Sequence, residues 1–228
     1  MYGSAVHAKW YSAKGKLLCH ALAVASEPEI FWNGENAAEI ISAITVPPEA
    51  GYLEAAEETF NGPSGRTLDD LYLTPLGFSR SDVWLCDLVP HSYMNSSQSR
   101  AIKRNYVPLY RKLNLPVVSI PEKPSDLVDE NRRNEIMAEL TQSQAETIIL
   151  LGDDPIKWFL SHVSDCKKTK LSEFGTKNYG SPVSVNINGT TYSVIPLAHV
   201  RQGGGLGSYS IFWERLHQKW VTSNETTN

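Results

Sequence analysis

Residues 147–163 read TIILLGDDPIKWFLSHV, and this stretch decides the fold class. The run 147–151 is short, apolar and rich in β-branched residues, which is typical of a buried strand. Gly152 ends the run, and residues 155–163 have the spacing of a helix. A strand that passes through a short loop into a helix is typical of an α/β protein.

Further strands and helices are predicted on both sides of this unit. The predicted strands are residues 39–46 (EIISAITV), 83–88 (VWLCDL), 183–187 and 191–197, and the predicted helices are 66–76, 105–113, 131–140 and 209–221. Between the last two strands, Asn188-Gly189 fits a type I′ hairpin turn. Strands separated by helices predict a three-layer αβα fold with a central, mainly parallel sheet.

Length and composition are those of one folded domain. The chain has 228 residues, 41% of them hydrophobic and 20% charged, which excludes wholesale disorder. We predict a single domain over residues 1–221 and a flexible polar tail over 222–228. No apolar run approaches the roughly 20 residues that a membrane-spanning helix needs. The first residues also lack the pattern of a secretory signal, so we expect a cytoplasmic monomer.

Charge is unevenly distributed along the chain. The formal net charge of −4 alone argues against a nucleic-acid-binding protein. Acids crowd residues 27–70, whereas residues 96–112 contain cations and no acid, namely Arg100, Lys103, Arg104, Arg111 and Lys112. A second basic group is formed by Lys167, Lys168, Lys170 and Lys177. Such groups bind a phosphate backbone when they share one face and are otherwise ordinary solvated surface, and composition alone favours the solvated surface.

Polar and aromatic residues follow the predicted strands, where the ligands of α/β sheets bind. The first predicted strand is followed by Glu49 and then by residues 60–66, FNGPSGR. The second ends in Leu-Cys-Asp87-Leu and the third in Leu-Leu-Gly. The last runs into Ala-His199 and a glycine-rich loop that contains Leu206.

This ordered set resembles the uracil-DNA glycosylase superfamily over about residues 39–220. Members have an acidic or amide residue after the first strand, then a Phe, a Gly-x-Ser/Ala-Gly turn and a helix. An Asn follows on the next strand, then an apolar strand that ends in Gly, and finally a His-Pro-Ser-like loop. The chain departs from this pattern at Asp87, in place of Asn, and at Val200-Arg201, in place of Pro-Ser. The resemblance implies hydrolysis of the N-glycosidic bond of a flipped-out pyrimidine in DNA, which leaves an abasic site.

The same resemblance implies a role for each motif residue. Glu49 would position the water and offset the positive charge of the sugar, with Glu54 as the alternative. His199 would bind the pyrimidine O2 and stabilise the departing anion. Phe60 would stack on the base. The implied DNA contacts are Ser64 and Gly65 at the start of a helix, Arg104 in the basic run, Arg201, and Leu206 as either a wedge in the duplex or a loop anchor.

Asp87 shifts the expected substrate towards a cytosine-ring base. An Asn reads uracil because its amide donates to O4 and accepts from N3–H. An ionised Asp only accepts, which suits the N4 amino group of cytosine, and a protonated Asp donates to cytosine N3. Some relatives act on phage DNA with modified cytosines, so a defence role is implied by analogy. Uracil excision in DNA repair and an inactive nucleic-acid-binding relative are the alternatives.

No metal or cofactor is expected. Glycosidic hydrolysis needs none, and three separated cysteines cannot supply the four ligands of the iron–sulfur cluster that some branches of the superfamily hold. Residues 62–65, GPSG, are not the Gly-x-Ser-x-Gly of a serine hydrolase. The glycines at 203–207 miss the spacing of a dinucleotide-binding loop. The expected partner is therefore DNA, without a membrane.

Overall fold

The structure is a computed structural model that describes residues 4–89, 91–119, 126–207 and 211–225. The chain divides into two units, the first made of Met1–Arg66 and Val89–Ser125, the second of Thr67–Leu88 and Asp126–Asn228. Each unit contains a three-stranded sheet together with helices. The structure is therefore mixed α/β with small sheets, which is compatible with the predicted class.

The elements are short and follow one another closely. The strands are β1 (Ala5–Tyr11), β2 (Leu17–Ser26), β3 (Tyr52–Ala55), β4 (Thr147–Leu151), β5 (Val183–Ile187) and β6 (Thr190–Leu197). The α-helices are α1 (Ala37–Ser42), α2 (Pro63–Leu68), α3 (Ser96–Ala101), α4 (Val107–Tyr110), α5 (Glu130–Ser143), α6 (Asp153–Pro155), α7 (Ser161–Val163), α8 (Val200–Gly203) and α9 (Ile211–Glu225). Turns of π-helix at Asp69–Leu73, Ile102–Tyr106 and Ile156–Leu160 extend α2, join α3 to α4 and join α6 to α7.

The sheet of the first unit is antiparallel, in the order β2-β1-β3. Buried and half-buried side chains alternate along most of β1, as expected for a strand with one covered face. The buried side chains pack against α1 and the helical segment that follows α3. They form two clusters, one of Val6, Ala8, Trp32 and Ile41 and one of Trp10, Cys19, Leu22 and Ile102, which together are the core of the first unit.

The sheet of the second unit has the order β4-β6-β5. β4 and β6 are parallel, with Leu151 beside Leu197, and β5 and β6 form an antiparallel hairpin. The hairpin turn at Asn188-Gly189 has positive φ at both residues, 48° and 90°, which confirms the predicted type I′ turn. The core consists of Leu150, Ile156, Leu160, Leu171, Val185, Ile187, Val194 and Ala198.

Two predicted strands are wrong. In residues 39–46 the chain instead forms α1 and a turn, because Ala37, Ile40 and Ile41 have helical spacing and pack on the first core. Residues 83–88 form an irregular segment that pairs with no strand among the described residues. Since only β4 and β6 are parallel in the described part of the chain, one central, mainly parallel sheet is not confirmed.

The predicted helices agree with the structure better than the predicted strands do, but their ends are shifted. The helix predicted from residue 66 begins at Pro63, and the one predicted at 131–140 lies within α5. α9 extends to Glu225, so residues 222–225 of the predicted tail are helical, while residues 226–228 and 209–210 lie outside the described ranges. Single-domain organisation over residues 1–221 stays a prediction.

Candidate active site

His199 lies just after β6, at the point where the parallel pair β4–β6 ends. His199 is the N-cap of α8, and its carbonyl oxygen accepts from the Gln202 and Gly203 amides at 2.7 and 2.9 Å. The carboxyl end of a parallel strand is where α/β proteins bind ligands. The predicted position of His199 at a strand end is therefore confirmed, while its role stays a prediction.

The hydrogen position on the His199 ring follows from one contact. Nδ1 accepts from the Arg201 backbone N–H at 3.3 Å. A backbone amide only donates, so Nδ1 is unprotonated and the neutral ring carries its hydrogen on Nε2. Burial and the nearby Arg201 charge lower the pKa of His199, against smaller raising effects of Asp87 and Asp154. His199 at neutral pH is thus an uncharged donor through Nε2–H.

The end of β4 lies directly beside this histidine. The Gly152 amide donates to Leu197 O at 2.8 Å, which extends the parallel pairing by one bond. Gly152 has φ of +91°, and a Cβ there would lie 3.1 Å from the His199 Cβ. Glycine is required both for that conformation and for the close approach of the two strand ends. Two acids follow, Asp153 and Asp154, and the Asp153 carboxylate accepts a hydrogen bond from the Leu171 amide at 2.8 Å.

Asp87 is held through its main chain by α5. Its carbonyl oxygen accepts from Arg132 Nη2 at 2.6 Å, and the same guanidinium bridges Glu135 and Glu139 at 2.9 and 3.0 Å. In a strand over residues 83–88, a neighbouring strand would bind this carbonyl. Here the Arg132 side chain binds it instead. Burial raises the pKa of the adjacent Cys86 to about 12, so this residue stays a thiol.

A buried polar network surrounds Ala198, the residue before His199. The Tyr179 hydroxyl accepts from the Ala198 N–H, and the Tyr72 hydroxyl donates to the Ala198 carbonyl, both at 2.9 Å. Tyr179 also contacts His217 Nδ1 at 2.8 Å. Sequence reasoning missed Tyr72, Tyr179 and His217, which come from three distant segments and share no motif.

Phe60 belongs to the first unit and is 43% exposed. Its carbonyl oxygen accepts from His7 Nδ1 at 3.0 Å, so His7 Nε2 is an acceptor and receives the Gln98 amide at 3.2 Å. The Phe60 and His7 rings are 6.4 Å apart and tilted. An exposed ring on a fixed backbone is what base stacking needs.

A second residue fixes the same loop. The buried Asn61 accepts from His7 N at 2.8 Å and donates to His7 O at 2.9 Å, so its amide pairs with β1 as a neighbouring strand would. It also donates to Ala56 O at 3.3 Å. His7, Asn61 and Gln98 were missed in the sequence, although the alternation in AVHAKWY was a usable strand signal.

The two acids predicted for water positioning are both exposed and both in the first unit. Glu49 is in a 3₁₀ turn, Pro48–Ala50, whose last carbonyl accepts from Trp10 Nε1 at 2.8 Å. Glu54 is in β3, paired in register with Lys9 of β1. The ion pair of Lys9 is with Glu57, at 2.6 Å. The positions of Glu49 and Glu54 do not show which of the two acids orients the water.

Ser64 and Gly65 are in the first turn of α2. A Cβ on Gly65 would collide with the backbone carbonyls of residues 31–32, so glycine allows this helix to pack closely there. The Arg66 guanidinium next to them donates to Asn61 O at 2.9 Å. Gly65 thus has a packing function, and phosphate binding by Ser64 and Gly65 stays a prediction.

The two basic groups differ in how they are held. Arg100, Lys103 and Arg104 are exposed on the helical segment of the first unit formed by α3 and the π-helical turn that follows it. In the second group, Lys167 Nζ donates to Ser164 O at 3.0 Å and Lys168 Nζ to Glu173 O at 2.7 Å. Two cations of the second group therefore bind backbone carbonyls.

The remaining predicted contacts are in the second unit. Arg201 is exposed, and its Nη2 donates to Leu206 O at 3.4 Å. Leu206 is half-buried, which leaves the wedge and the loop anchor both open. The predicted residues thus divide into Asp87, His199, Arg201 and Leu206 in the second unit and Glu49, Phe60, Ser64, Gly65 and Arg104 in the first.

Comparison with known proteins adds no relative. No protein-family model, curated protein or solved structure matches the chain. In the described ranges no group of three His, Cys, Asp or Glu side chains is arranged to hold a metal ion. No helix in the described part of the chain is long and apolar enough to cross a membrane. The resemblance to the uracil-DNA glycosylase superfamily stays a prediction from the motifs.

Proposed function

We propose that this protein is a DNA glycosylase that hydrolyses the N-glycosidic bond of a flipped-out pyrimidine. The observation that carries the proposal is the neutral His199 at the end of β6, with Nδ1 fixed by a backbone amide and the hydrogen on Nε2. A fixed, uncharged N–H donor in a partly dry site stabilises an oxyanion that forms as a base departs. The finer fold, a three-layer uracil-DNA glycosylase-like arrangement, is part of this proposal.

The reaction consumes one water. The bond between the sugar C1′ and the base nitrogen breaks, and its electron pair leaves with the base as an anion whose O2 accepts from His199 Nε2–H. Water then bonds to C1′, and its proton is released to the base or solvent. Glu49 or Glu54 orients that water and offsets the positive charge on the sugar. The product is an abasic site and a free base.

Asp87 is proposed to select a cytosine-ring base, including modified cytosines of phage DNA in a defence role. Its charge reaches the His199 ring, which supports a shared site for the two side chains. Its main chain is held by Arg132, so the carboxyl group projects from a fixed backbone. Either an ionised carboxylate accepts from N4, or a protonated one donates to N3.

The remaining proposed roles concern the grip on DNA. Phe60 stacks on the extruded base. The amides that start α2, at Ser64 and Gly65, contact a phosphate, and Arg201 adds a cation beside Leu206. Leu206 fills the vacated space in the duplex.

Single-turnover excision on a panel of duplexes tests the proposal. Duplexes with uracil, cytosine or 5-substituted cytosines are incubated with the protein, treated with alkali and analysed for strand breaks. We expect breaks at a cytosine-ring base, and we expect Asp87→Asn to shift the preference towards uracil by at least about tenfold, since one mismatched hydrogen-bonding pair costs about 1–3 kcal/mol.

Two other outcomes would overturn parts of the proposal. Equal or faster wild-type cleavage at uracil would contradict the cytosine preference and favour a uracil-repair enzyme. Binding to every duplex with breaks at none would overturn the enzyme and leave a nucleic-acid-binding module. Asp70→Asn, at an exposed acid of the second unit, is the matched control and should leave the base preference unchanged.

The exposed basic residues of α3 and the π-helical turn after it predict a salt effect. Arg104→Ala should weaken DNA binding and reduce the slope of log K against log salt by about 0.7–0.9, the value for one lost phosphate contact. Lys219→Ala, at an exposed cation of α9, should leave the slope unchanged. Fluorescence anisotropy at several salt concentrations measures both. An unchanged slope for Arg104→Ala would exclude this residue from the DNA contacts.

A further inference from the structure

The N–H and C=O of Ala198 lie at the end of the β4–β6 ladder. That ladder ends where the Gly152 amide donates to Leu197 O. Ala198 is fully buried, so its N–H and C=O need partners within the protein. Tyr179 receives the N–H and Tyr72 donates to the C=O, each at 2.9 Å. Two tyrosines thus bind the backbone that leads directly into His199.

Every hydrogen in this network has a fixed direction. His217 Nε2 lies 2.9 Å from Leu71 O, and a carbonyl only accepts, so Nε2 carries the hydrogen. Nδ1 is therefore an acceptor, and the Tyr179 hydroxyl donates to it at 2.8 Å. The Tyr179 oxygen in turn accepts from Ala198 N–H. The chain of bonds runs in one direction, from Ala198 to Leu71, without an unsatisfied group.

Packing holds the members of the network rigidly. The Tyr72 and His217 rings stack with centroids 4.0 Å apart, and Trp220 lies 5.1 Å from the His217 ring. Tyr72 and His217 are fully buried. Burial lowers the pKa of His217 to about 4 and raises the pKa values of Tyr72 and Tyr179, so all three rings are neutral at physiological pH.

We propose that Tyr72, Tyr179 and His217 are positioning residues that fix the Ala198 backbone and thereby hold His199 in its Nε2–H form. The Nδ1 contact that sets this form is 3.3 Å long, and the residue that makes it directly follows the Ala198 carbonyl held by Tyr72. Apolar rings of equal size would fill the same space but would leave the Ala198 peptide groups without partners. The catalytic consequence rests on the proposed glycosylase function, whereas the effect on the His199 ring does not.

The test removes single hydroxyls. In Tyr179→Phe the Ala198 amide should exchange with solvent about tenfold faster, because one buried hydrogen bond is lost. The ring nitrogen shifts of His199, measured by NMR, should move from a single tautomer to a mixture. Tyr72→Phe should produce the same tautomer mixture through the other peptide group. Tyr192→Phe, at a half-buried tyrosine packed on the core of the second unit, is the matched control and should change neither signal.

Two readouts separate this inference from the proposed function. If a base is excised, Tyr179→Phe should lower the single-turnover rate about tenfold while DNA affinity stays the same, because positioning and not binding is lost. If no base is excised, the proposed function fails while the NMR signals still decide the positioning role. An unchanged His199 tautomer in both Tyr179→Phe and Tyr72→Phe would overturn the inference.

Discussion

Replacing His199 by alanine should lower the single-turnover rate of base excision by about 10²–10³-fold, the usual cost of removing one oxyanion donor. Binding of intact duplex DNA should change little, because in the proposed reaction Nε2–H acts on charge that develops only as the glycosidic bond breaks. The measurement is alkali-revealed strand cleavage with protein in excess over DNA.

The side chain of His199 also caps α8, and this second role needs its own control. Alanine removes the acceptor for the Arg201 amide, which costs about 1 kcal/mol of stability. His199→Ser keeps an acceptor for that amide but has no imidazole N–H, so it should be as inactive as alanine while regaining stability. His162→Ala, at an exposed histidine of α7, should keep the full rate. Excision by His199→Ser at the wild-type rate would contradict the role of His199.

The pH profile of excision follows from the same residue. Because the pKa of His199 is lowered, the neutral ring predominates above about pH 6.5 and the rate should be level there. Acidification below the lowered pKa adds a hydrogen to Nδ1, which is incompatible with its bond to the Arg201 amide. The rate should therefore fall in acid.

The sequence predicted those parts of the fold in which one local signal dominated. The run TIILLG and the Asn188-Gly189 turn each combine a strand pattern with glycine at the required backbone conformation, and both are confirmed. The run EIISAITV carried two signals, β-branched content and helical spacing. Ile41 is buried in one cluster with Val6 and Ala8 of β1, which are far away in the chain, and this packing decides for the helix.

The residues of the candidate site also divide into those with a local signal in the sequence and those that only the fold brings together. His199 was predicted as a site residue because it stands at a strand end before a glycine-rich loop; that position is observed, and its role stays a prediction. Asp87 was predicted as a site residue on a segment that was wrongly predicted as a strand, and Arg132 of α5 binds its carbonyl. Tyr72, Tyr179 and His217 were not found, because only the fold brings them to Ala198. A tyrosine in a helical pattern predicts packing, and nothing local indicates that its hydroxyl binds a distant peptide group.

The stability of the protein should fall in acid because of His217. Its pKa is about 4 in the folded protein and about 6.5 when unfolded, so between these values the unfolded chain binds the extra proton. The stabilisation is fully present above pH 6.5 and is lost as pH falls to 4. At about 1.36 kcal/mol per unit, the loss reaches about 3 kcal/mol. Urea unfolding between pH 4.5 and 7.5 measures it.

His217→Phe isolates this contribution from those of other histidines. The variant keeps a ring between Tyr72 and Trp220 but loses the bonds to Leu71 O and Tyr179, so it should be less stable at pH 7.5 by about 1–3 kcal/mol. Burial also lowers the pKa values of His7 and His199, but both residues are present in the two proteins and cancel in the difference. The two stability curves should therefore converge as pH falls towards 4, because only the wild type still loses the His217 contribution. Parallel curves would show that His217 takes up its proton in the folded protein as readily as in the unfolded chain, which is incompatible with an Nδ1 that accepts from Tyr179 and an Nε2–H that is bound to Leu71.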